Sequence, residues 1–348
     1  MEIEFLIVIF TAVFIDLTLG ELPTSIHPVV WMGKFIGKIR KLIINIGKNK
    51  NRFSGFILTL IILIIFNLFL VFILYISSIN YIFHLIVISI IISTTFAIKS
   101  LVKSVLEVYF ALNIDINKAR IVVSYLVSRN TSELSQGEVV SAAIETLTEN
   151  ITDSIISPIF YIFIGGSLGI LLLTNFGDTV IYSFLSLSGL IGIGYYQFQL
   201  PILLGAMAGI SYRVVNTLDA MVGYKDLENI DMGWFPARLD DVINYIPARL
   251  TGLLIVFSSL LLGFDYKSSW KVMMVDSGKT PSPNSGYPMA AAAGALGIQL
   301  VKPNVYKLGT PEKDLIPEMI KKAVNITMVT VMIFLLSIFV IPIMVIIF

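Results

Sequence analysis

Uninterrupted apolar runs of about twenty residues constrain this chain more than any other feature. Residues 56–76 are apolar except for Thr59 and Asn67, and residues 81–98 and 326–348 form two further runs. An α-helix needs about 20 such residues to cross the hydrocarbon core of a bilayer. Only 14% of the chain is charged, whereas soluble domains carry about 25% charged residues. The sequence therefore predicts an all-α polytopic membrane protein in contact with the lipid bilayer.

The number and direction of the crossings follow from where the charges lie. We predict roughly 5–8 transmembrane or re-entrant helices in a single membrane-embedded domain over residues 1–348, with amphipathic helices on the cytoplasmic side. Residues 34–52 carry seven Lys or Arg and no acid, which the positive-inside rule places in the cytoplasm. Residues 99–153 are expected to form a cytoplasmic helical segment. Two full crossings and one re-entrant piece are expected over 155–212, and a hairpin or tilted half-helix over 250–264.

The composition excludes several kinds of site. The chain has no Cys, so it has neither a thiol nucleophile nor a cysteine metal site. With His27 and His84 as its only histidines, a His-rich metal site is excluded as well. A net charge of +1 argues against a nucleic-acid partner.

Three carboxylates recur at intervals of four residues in a helix predicted over about 138–151 and just beyond it: Glu145, Glu149 and Asp153. Residues four apart lie on one face of an α-helix, and like charges at that spacing repel each other unless a cation or a base lies among them. Two interpretations stay open: a solvated acidic face, or a site for Mg²⁺ or a cationic substrate. The apolar residues that follow place these carboxylates at the membrane surface, which favours a site.

Residues 213–249 form a polar island between apolar runs. Charged residues gathered within a membrane protein usually face a cavity, a partner or water, although a solvated loop between two spans is the alternative. The sequence Pro-Ala-Arg-Leu occurs twice, eleven residues apart. Eleven residues are about three helical turns, so Arg238 and Arg249 are predicted to project from one helix face. Pro247 is expected to kink that helix or to begin a new one.

Residues 280–297 combine a loop rich in Pro, Ser and Asn with a helix of small residues. Residues 280–288 have the composition of turns. The Ala and Gly residues over 289–297 allow other backbones to approach closely. Free N–H groups at the start of such a helix are suited to bind an anion.

Taken together, the motifs of this chain resemble those of the CobD/CbiB family of membrane proteins of cobalamin biosynthesis. The resemblance covers nearly the whole chain, but residues 167–199 look inserted relative to the family. It rests on these stretches, in this order: Asp16-Leu-Thr-Leu-Gly20-Glu-Leu-Pro23 with His27-Pro28, Glu145-Thr-Leu-Thr-Glu149-Asn150-Ile-Thr-Asp153, Ser157-Pro158-Ile-Phe160-Tyr161, Tyr212-Arg213-Val-Val-Asn216-Thr217-Leu-Asp219, Ala237-Arg238-Leu-Asp240-Asp241, Asn244-Tyr-Ile-Pro247-Ala-Arg249 and Ser282-Pro283-Asn284-Ser-Gly286.

This resemblance implies an ATP-dependent amide ligase, adenosylcobinamide-phosphate synthase. Its substrates would be adenosylcobyric acid, an adenosylated corrinoid, and (R)-1-amino-2-propanol phosphate or aminopropanol. ATP and Mg²⁺ would take part, and other membrane enzymes of cobalamin assembly are expected partners. The protein is expected in the cell (plasma) membrane as a multi-pass protein, with its active site facing the cytoplasm.

The chemistry of carboxylate activation assigns expected roles to the polar residues. Arginines suit phosphate or carboxylate groups, and carboxylates suit Mg²⁺ or proton transfer. The expected catalytic residues are Glu145, Glu149, Asp219, Asp240 and Asp241. The expected substrate-binding residues are His27, Asn150, Arg213, Asn216, Arg238, Asn244, Arg249, Ser282 and Asn284, and the expected Mg²⁺ ligands are Glu145, Glu149 and Asp153.

Two other functions are compatible with charged residues among apolar helices. The first is a transporter of an ion or small metabolite, with the carboxylates as coupling sites. The sequence shows no inverted repeat, and its acids lie at the ends of spans, which argues against transport. The second is a non-enzymatic membrane sensor resembling the AmpE-like relatives of the family. The joint presence of all the polar motifs argues against a sensor.

Overall fold

α-Helices account for nearly all regular structure in the computed structural model, which describes residues 2–47, 51–177, 199–223 and 230–347. In chain order the helices are α1 (Glu2–Thr18), α2 (Pro28–Gly47), α3 (Arg52–Ser77), α4 (Tyr81–Ser93), α5 (Ile98–Leu112), α6 (Ile116–Ser124), α7 (Gln136–Ile151), α8 (Ser157–Phe176), α9 (Leu200–Val222), α10 (Trp234–Ile243), α11 (Tyr245–Leu261), α12 (Tyr266–Asp276), α13 (Gly286–Leu296) and α14 (Glu318–Ile347). A π-helical turn (Thr152–Ile156), a 3-10 turn (Ser277–Lys279) and the strands β1 (Leu300–Lys302) and β2 (Tyr306–Leu308) complete the list of elements.

Four helical stretches within the described ranges are long and apolar enough to cross a membrane: Arg52–Ser77, Tyr81–Leu112, Gln136–Phe176 and Glu318–Val340. Counting α10 and α11 as one broken span gives a fifth. Large apolar side chains such as Leu68 and Phe72 are exposed on α3, as a lipid-facing helix requires. These helices confirm the predicted all-α polytopic membrane fold.

The chain divides into two compact units by its internal contacts. The first unit contains residues 1–97 and 158–242, and the second contains residues 98–157 and 243–348. The single membrane-embedded domain expected over residues 1–348 stays a prediction.

In the first unit, α9 packs against each of the helices α1 to α4. Glycines permit this close approach. A Cβ atom at Gly205 would lie 2.8 Å from the Phe5 ring, and one at Gly209 would lie 2.6 Å from Ile162. Small residues at helix contacts are the usual means by which membrane helices come into van der Waals contact.

In the second unit, the hydrophobic core is built from α5, α6, α7 and the helices α11 to α14. Every residue of α13 except Tyr287 is buried, and this helix packs against α11 and α12. A Cβ atom at Gly294 would lie 2.5 Å from the Ser268 carbonyl oxygen, so only glycine fits there. Gly297 ends α13 in the left-handed conformation, with φ of 67°. The small-residue helix after the Pro/Asn loop is confirmed.

Local sequence signals determine several helix ends. At the start of α7, the Ser135 side chain accepts the Glu138 N–H while the Glu138 carboxylate accepts the Ser135 N–H, which is a capping box. The side chain of Asn80 caps α4 by accepting the Phe83 N–H at 3.0 Å. Asp115 caps α6 in the same way. The helix predicted over about 138–151 is therefore confirmed, with slightly longer bounds.

The predictions about the polar island and the run after it have different outcomes. Of the two forms expected over 250–264, the hairpin is wrong, because α11 runs as one helix from Tyr245 to Leu261. The half-helix agrees with the structure, because α10 and α11 form a pair bent by 44°, as in a broken span or a re-entrant loop. Arg238 and Arg249 share no helix face, because the helix breaks at Asn244 and the two arginines belong to α10 and α11. Pro247 lies in the first turn of α11, where a missing N–H costs little, so the expected new helix is confirmed. Residues 300–308 contain the antiparallel β1–β2 hairpin, and α14 begins at Glu318.

The acidic helix face is also interrupted. Asp153 lies in the π-helical turn Thr152–Ile156, where the hydrogen bonds run from residue i to i+5. Asp153 therefore lies beyond α7, the helix that carries Glu145 and Glu149. Pro158 lies two residues after this turn, and a proline inside a helix clashes with the carbonyl four residues earlier. The π turn widens the helix at that point. The prediction of three crossings or partial crossings over 155–212 falls partly on residues 178–198, which lie outside the described residues.

Candidate functional site

Glu145 lies at the centre of a buried polar cluster in the second unit. Its side chain is 5% exposed. Ser141, one turn earlier on α7, donates to Glu145 Oε1 at 2.7 Å, and Tyr306 on β2 donates to Oε2 at 2.7 Å. The Val301 N–H on β1 donates to Ser141 Oγ at 2.9 Å. The β1–β2 hairpin is therefore joined to α7 through Glu145 and its neighbour.

Arg129 is the cation of this cluster. It lies in the segment between α6 and α7, and its Nη2 atom donates to Glu145 Oε1 at 3.2 Å. Its Nε and Nη1 atoms are buried, and neither has a hydrogen-bond partner among the described residues. Buried polar atoms without a partner are rare in proteins, and each one calls for an explanation such as a bound ion or water.

The hydroxyl of Tyr306 acts as a donor in this setting. Burial raises the pKa of Tyr306 far above its usual value, and the charge and hydrogen bond of Glu145 raise it further. Arg129 offsets part of this shift. The phenol therefore keeps its proton at ordinary pH and donates a hydrogen bond to Glu145.

Glu149 follows one turn after Glu145 on α7 and is partly exposed. It interacts electrostatically with Lys302 and with Glu145. No described residue donates a hydrogen bond to its carboxylate. The neighbouring Asn150 side chain donates to the Thr146 carbonyl of its own helix at 2.9 Å, so its amide N–H is used within α7.

The expected Mg²⁺ ligands do not come together as a metal site. Among the residues that the structure describes, no group of three or more His, Asp or Glu side chains could hold a metal ion. The Glu145 oxygens accept Ser141, Arg129 and Tyr306 instead. Asp153 lies in the π-helical turn that follows α7. A requirement for Mg²⁺ stays a prediction, and these three carboxylates do not fit it.

A second cluster in this unit is built around Arg249 of α11. Its guanidinium lies over the rings of Tyr245, at 3.3 Å from the ring centroid, and of Tyr287, at 4.3 Å. Its Nη1 atom donates to the Tyr245 carbonyl at 2.7 Å and to Asn284 Oδ1 at 3.4 Å. The Ser282 hydroxyl accepts the Asn284 N–H at 3.2 Å. The structure thus brings together three predicted substrate-binding residues.

In the first unit, polar residues of α9 and α10 meet. Arg213 Nη1 donates to Asn216 Oδ1 at 3.3 Å, and Asn216 donates to Asp240 Oδ1 at 3.5 Å. Arg238 and Asp241 form a more exposed ion pair at 3.5 Å on α10. Asp219 lies in the last turn of α9. Three residues of the predicted island therefore form one hydrogen-bonded chain.

His27 belongs to the same unit and is buried. Its Nδ1 atom accepts the Val29 N–H at 3.2 Å, which places the ring proton of the neutral form on Nε2. Burial lowers the pKa of His27, and the positive charge of Arg213 lowers it further against the opposing effect of Glu21. His27 is therefore a neutral histidine near Arg213 at neutral pH.

Asn244 has a structural position that the sequence did not indicate. It lies at the break between α10 and α11 and is 1% exposed. Its Oδ1 atom accepts the Ser157 hydroxyl at 2.7 Å. Ser157 directly follows the π turn, so this bond fixes the helix break against the end of that turn.

Sequence reasoning missed Arg129 and Tyr306. Tyr306 contacts Glu145 across 161 positions, from a hairpin that has no strong strand signal. Arg129 lies in a polar segment that reads as a solvated connection. Neither residue stands in a motif that would have singled it out, and only the packing of α7 against the hairpin reveals them.

Known proteins match this chain over nearly its whole length. A family model described as CobD/Cbib protein matches residues 9–335. The chain is 43% identical over 333 residues to the probable cobalamin biosynthesis protein CobD of Methanothermobacter thermautotrophicus, covering 95% of both chains. It is 33% identical over 319 residues to the cobalamin biosynthesis protein CobD of Dehalococcoides mccartyi, covering 91% of both chains. The corresponding Clostridium tetani protein is 33% identical over 333 residues, with 92% of both chains covered. No solved structure matches the chain significantly.

Proposed function

Because the chain belongs to the CobD/CbiB family, we propose that it acts in cobalamin biosynthesis as an ATP-dependent amide ligase. The reaction joins a carboxylate of adenosylcobyric acid to the amine of (R)-1-amino-2-propanol phosphate, or of aminopropanol. The product is adenosylcobinamide phosphate, or adenosylcobinamide from the unphosphorylated amine.

One observation carries this proposal. The family match spans residues 9–335, a range that includes every predicted site residue from His27 to Asn284. The relatives matched over 91% or more of their chains are named as proteins of cobalamin biosynthesis. A match of this extent supports a shared activity more strongly than any single motif does.

The polar clusters suit the chemistry of this reaction. Activation of a carboxylate by ATP places negative charge on a transferring phosphoryl group, which cationic side chains stabilise. Arg249 is held by two aromatic rings and by Asn284, so its guanidinium is oriented for an anionic group. Glu149, with no hydrogen-bond donor among the described residues, is suited to accept a proton from the substrate ammonium. No step is assigned to a metal ion held by the protein.

We further propose a location in the cell membrane as a multi-pass protein with its site facing the cytoplasm. The seven basic residues over 34–52 support this orientation through the positive-inside rule. ATP is available on that side.

The test is the reaction of the purified full-length protein with each component omitted in turn. We expect product only when ATP, the corrinoid acid and the amine are all present. Product formation without ATP would contradict a ligase, and no product with the complete mixture would contradict the proposed function.

Three variants test the assignment of the site: Glu149→Gln, Asp241→Asn and Arg249→Ala. Glu107→Gln on the exposed face of α5 is the control for loss of one carboxylate. If all three variants retained full synthesis, none of these three residues would have the role proposed for it.

A further inference from the structure

Two charged groups near Glu145 have unused hydrogen-bonding capacity. Arg129 has two buried nitrogen atoms without a partner among the described residues. The partly exposed Glu149 has no hydrogen-bond donor within the part of the chain that the structure describes. Both groups are held near a third, Glu145, whose own oxygens are already hydrogen-bonded.

We propose that Arg129 and Glu149 form the subsite for a small phosphorylated amine, with the phosphate on Arg129 and the ammonium on Glu149. This inference rests on the proposed function and names which of its substrates occupies this place. Glu145 and Tyr306 are positioning residues, because they orient Arg129 and dock the β1–β2 hairpin without contacting the ligand.

The guanidinium supplies the anion-binding half of the subsite. A guanidinium has five N–H donors in a fixed plane, and the bond from Nη2 to Glu145 uses only one nitrogen of Arg129. That bond fixes the plane of the group while Nε and Nη1 keep their donors. Phosphate oxygens are strong acceptors for such a group, through charge-assisted hydrogen bonds.

The charge balance around Arg129 selects a zwitterion over a polyanion. Arg129 forms an ion pair with Glu145, Glu149 interacts electrostatically with Glu145 and Lys302, and Tyr306 interacts with Glu145, Glu149 and Arg129. The acidic and basic side chains of this cluster are therefore equal in number, two of each. A nucleoside triphosphate would place several negative charges beside Glu149, which repels them. An amino-alkyl phosphate instead offers one cation to Glu149 and one phosphate to Arg129.

The relation of Arg129 to Glu149 runs through Glu145. Arg129 is hydrogen-bonded to Glu145 at 3.2 Å, and Glu145 and Glu149 are four residues apart, which is about 6 Å along the axis of α7. The nitrogen of a 1-amino-2-alkyl phosphate is separated from phosphorus by two carbons and an ester oxygen, a span comparable to one helical turn. Glu149 would take one proton from the ammonium, which leaves a neutral amine and a protonated carboxyl group.

Binding can be measured separately from catalysis. The full-length protein in nanodiscs would be titrated calorimetrically with aminopropanol phosphate, aminopropanol, inorganic phosphate and ATP. For Arg129→Gln we expect the affinity for aminopropanol phosphate to fall about tenfold to a hundredfold, with ATP affinity unchanged. Arg129→Lys keeps the charge but loses the planar donors, so its affinity for aminopropanol phosphate should lie between those of the parent and of Arg129→Gln. Glu149→Gln should weaken both amines and leave inorganic phosphate unaffected.

Two exposed residues of α5 provide matched controls. Lys103→Gln removes one positive charge and Glu107→Gln one negative charge, as Arg129→Gln and Glu149→Gln do, but from a surface ion pair. Both control variants should bind every ligand with the affinity of the parent protein. Thermal unfolding of each variant distinguishes a loss of binding from a loss of fold, and Arg129→Lys supplies a second test if Arg129→Gln unfolds.

The outcomes separate this inference from the proposed function. Unchanged binding of aminopropanol phosphate by a folded Arg129→Gln, in a preparation whose parent makes product, would overturn the subsite alone. A loss of ATP affinity with the amine affinity retained would also overturn it, because the phosphate would then belong to the nucleotide. If the parent protein bound neither amine and made no product, both proposals would fail.

Discussion

Glu145 and Glu149 are two carboxylates one helical turn apart, and their surroundings differ. Glu145 is buried and accepts hydrogen bonds from Ser141, Arg129 and Tyr306. Glu149 is partly exposed, and it interacts electrostatically with Lys302. The sequence predicted both as catalytic residues and metal ligands from their spacing, the family resemblance and the chemistry of carboxylate activation. Spacing indicates which residues share a face, but the donors that reach each carboxylate come from distant segments.

Removal of the Tyr306 hydroxyl tests how much the Glu145 cluster contributes to stability. In Tyr306→Phe, the Oε2 atom of Glu145, whose side chain is 5% exposed, loses its hydrogen-bond donor. We expect the free energy of unfolding to fall by about 1–3 kcal/mol, measured as a lower thermal midpoint in detergent. Tyr125→Phe, at a tyrosine that is 81% exposed, is the control. Equal midpoints for the two variants would contradict the role assigned to Tyr306.

The titration of His27 should make the free energy of unfolding fall at lower pH. Its pKa is lowered in the folded state by burial and by Arg213, so the unfolded chain binds the proton more readily. Stability should therefore fall as the pH drops below the unfolded value of about 6.5, with a slope of at most about 1.4 kcal/mol per pH unit. In His27→Gln this contribution should disappear. Thermal midpoints between pH 7.5 and 5.5, chosen as about one unit on either side of that pKa, measure the difference. Parallel pH profiles for the parent and the variant would show that His27 does not titrate as inferred.

Helical elements with local end signals were predictable, and those defined by distant contacts were not. Asn80 marks the start of α4, and the Ser135–Glu138 pair marks the start of α7, because each signal lies within one turn of its helix. The break at Asn244 depends on a bond from Ser157, 87 positions earlier. The repeat of Pro-Ala-Arg-Leu after eleven residues predicted that Arg238 and Arg249 share one helix face. The break at Asn244 places them on two different helices.

The approach of α13 to α12 provides a prediction about an element. A Cβ atom at Gly294 would meet the Ser268 carbonyl at 2.5 Å, so Gly294→Ala must push the two helices apart. Overpacking of this kind costs about 1–3 kcal/mol. We expect a lower thermal midpoint for Gly294→Ala. Gly278→Ala is the matched control, because no atom lies within 4 Å of a Cβ built there. A control variant as unstable as Gly294→Ala would rule out packing as the cause.

Over the whole molecule, the apolar runs determined the fold class, and the resemblance identified the family. Both depend on features repeated along the chain, so neither requires knowledge of the packing. The site was only partly predictable. Arg249, Ser282 and Asn284 meet as expected, whereas Arg129 and Tyr306 join Glu145 through a hairpin that local patterning did not reveal.

The last prediction separates a ligase from a transporter using the complete protein. A ligase needs its substrates and ATP but no sealed compartment, because the chemistry takes place within one molecule. A transporter needs two compartments, since its function is movement between them. We expect the protein in nanodiscs, which enclose no volume, to form adenosylcobinamide phosphate at a rate within about twofold of that in proteoliposomes, since the barrier to the chemical step is the same in both. Arg249→Ala in nanodiscs is the control for product formed by a contaminant. Accumulation of a substrate inside proteoliposomes, with no product in nanodiscs, would favour transport over ligation.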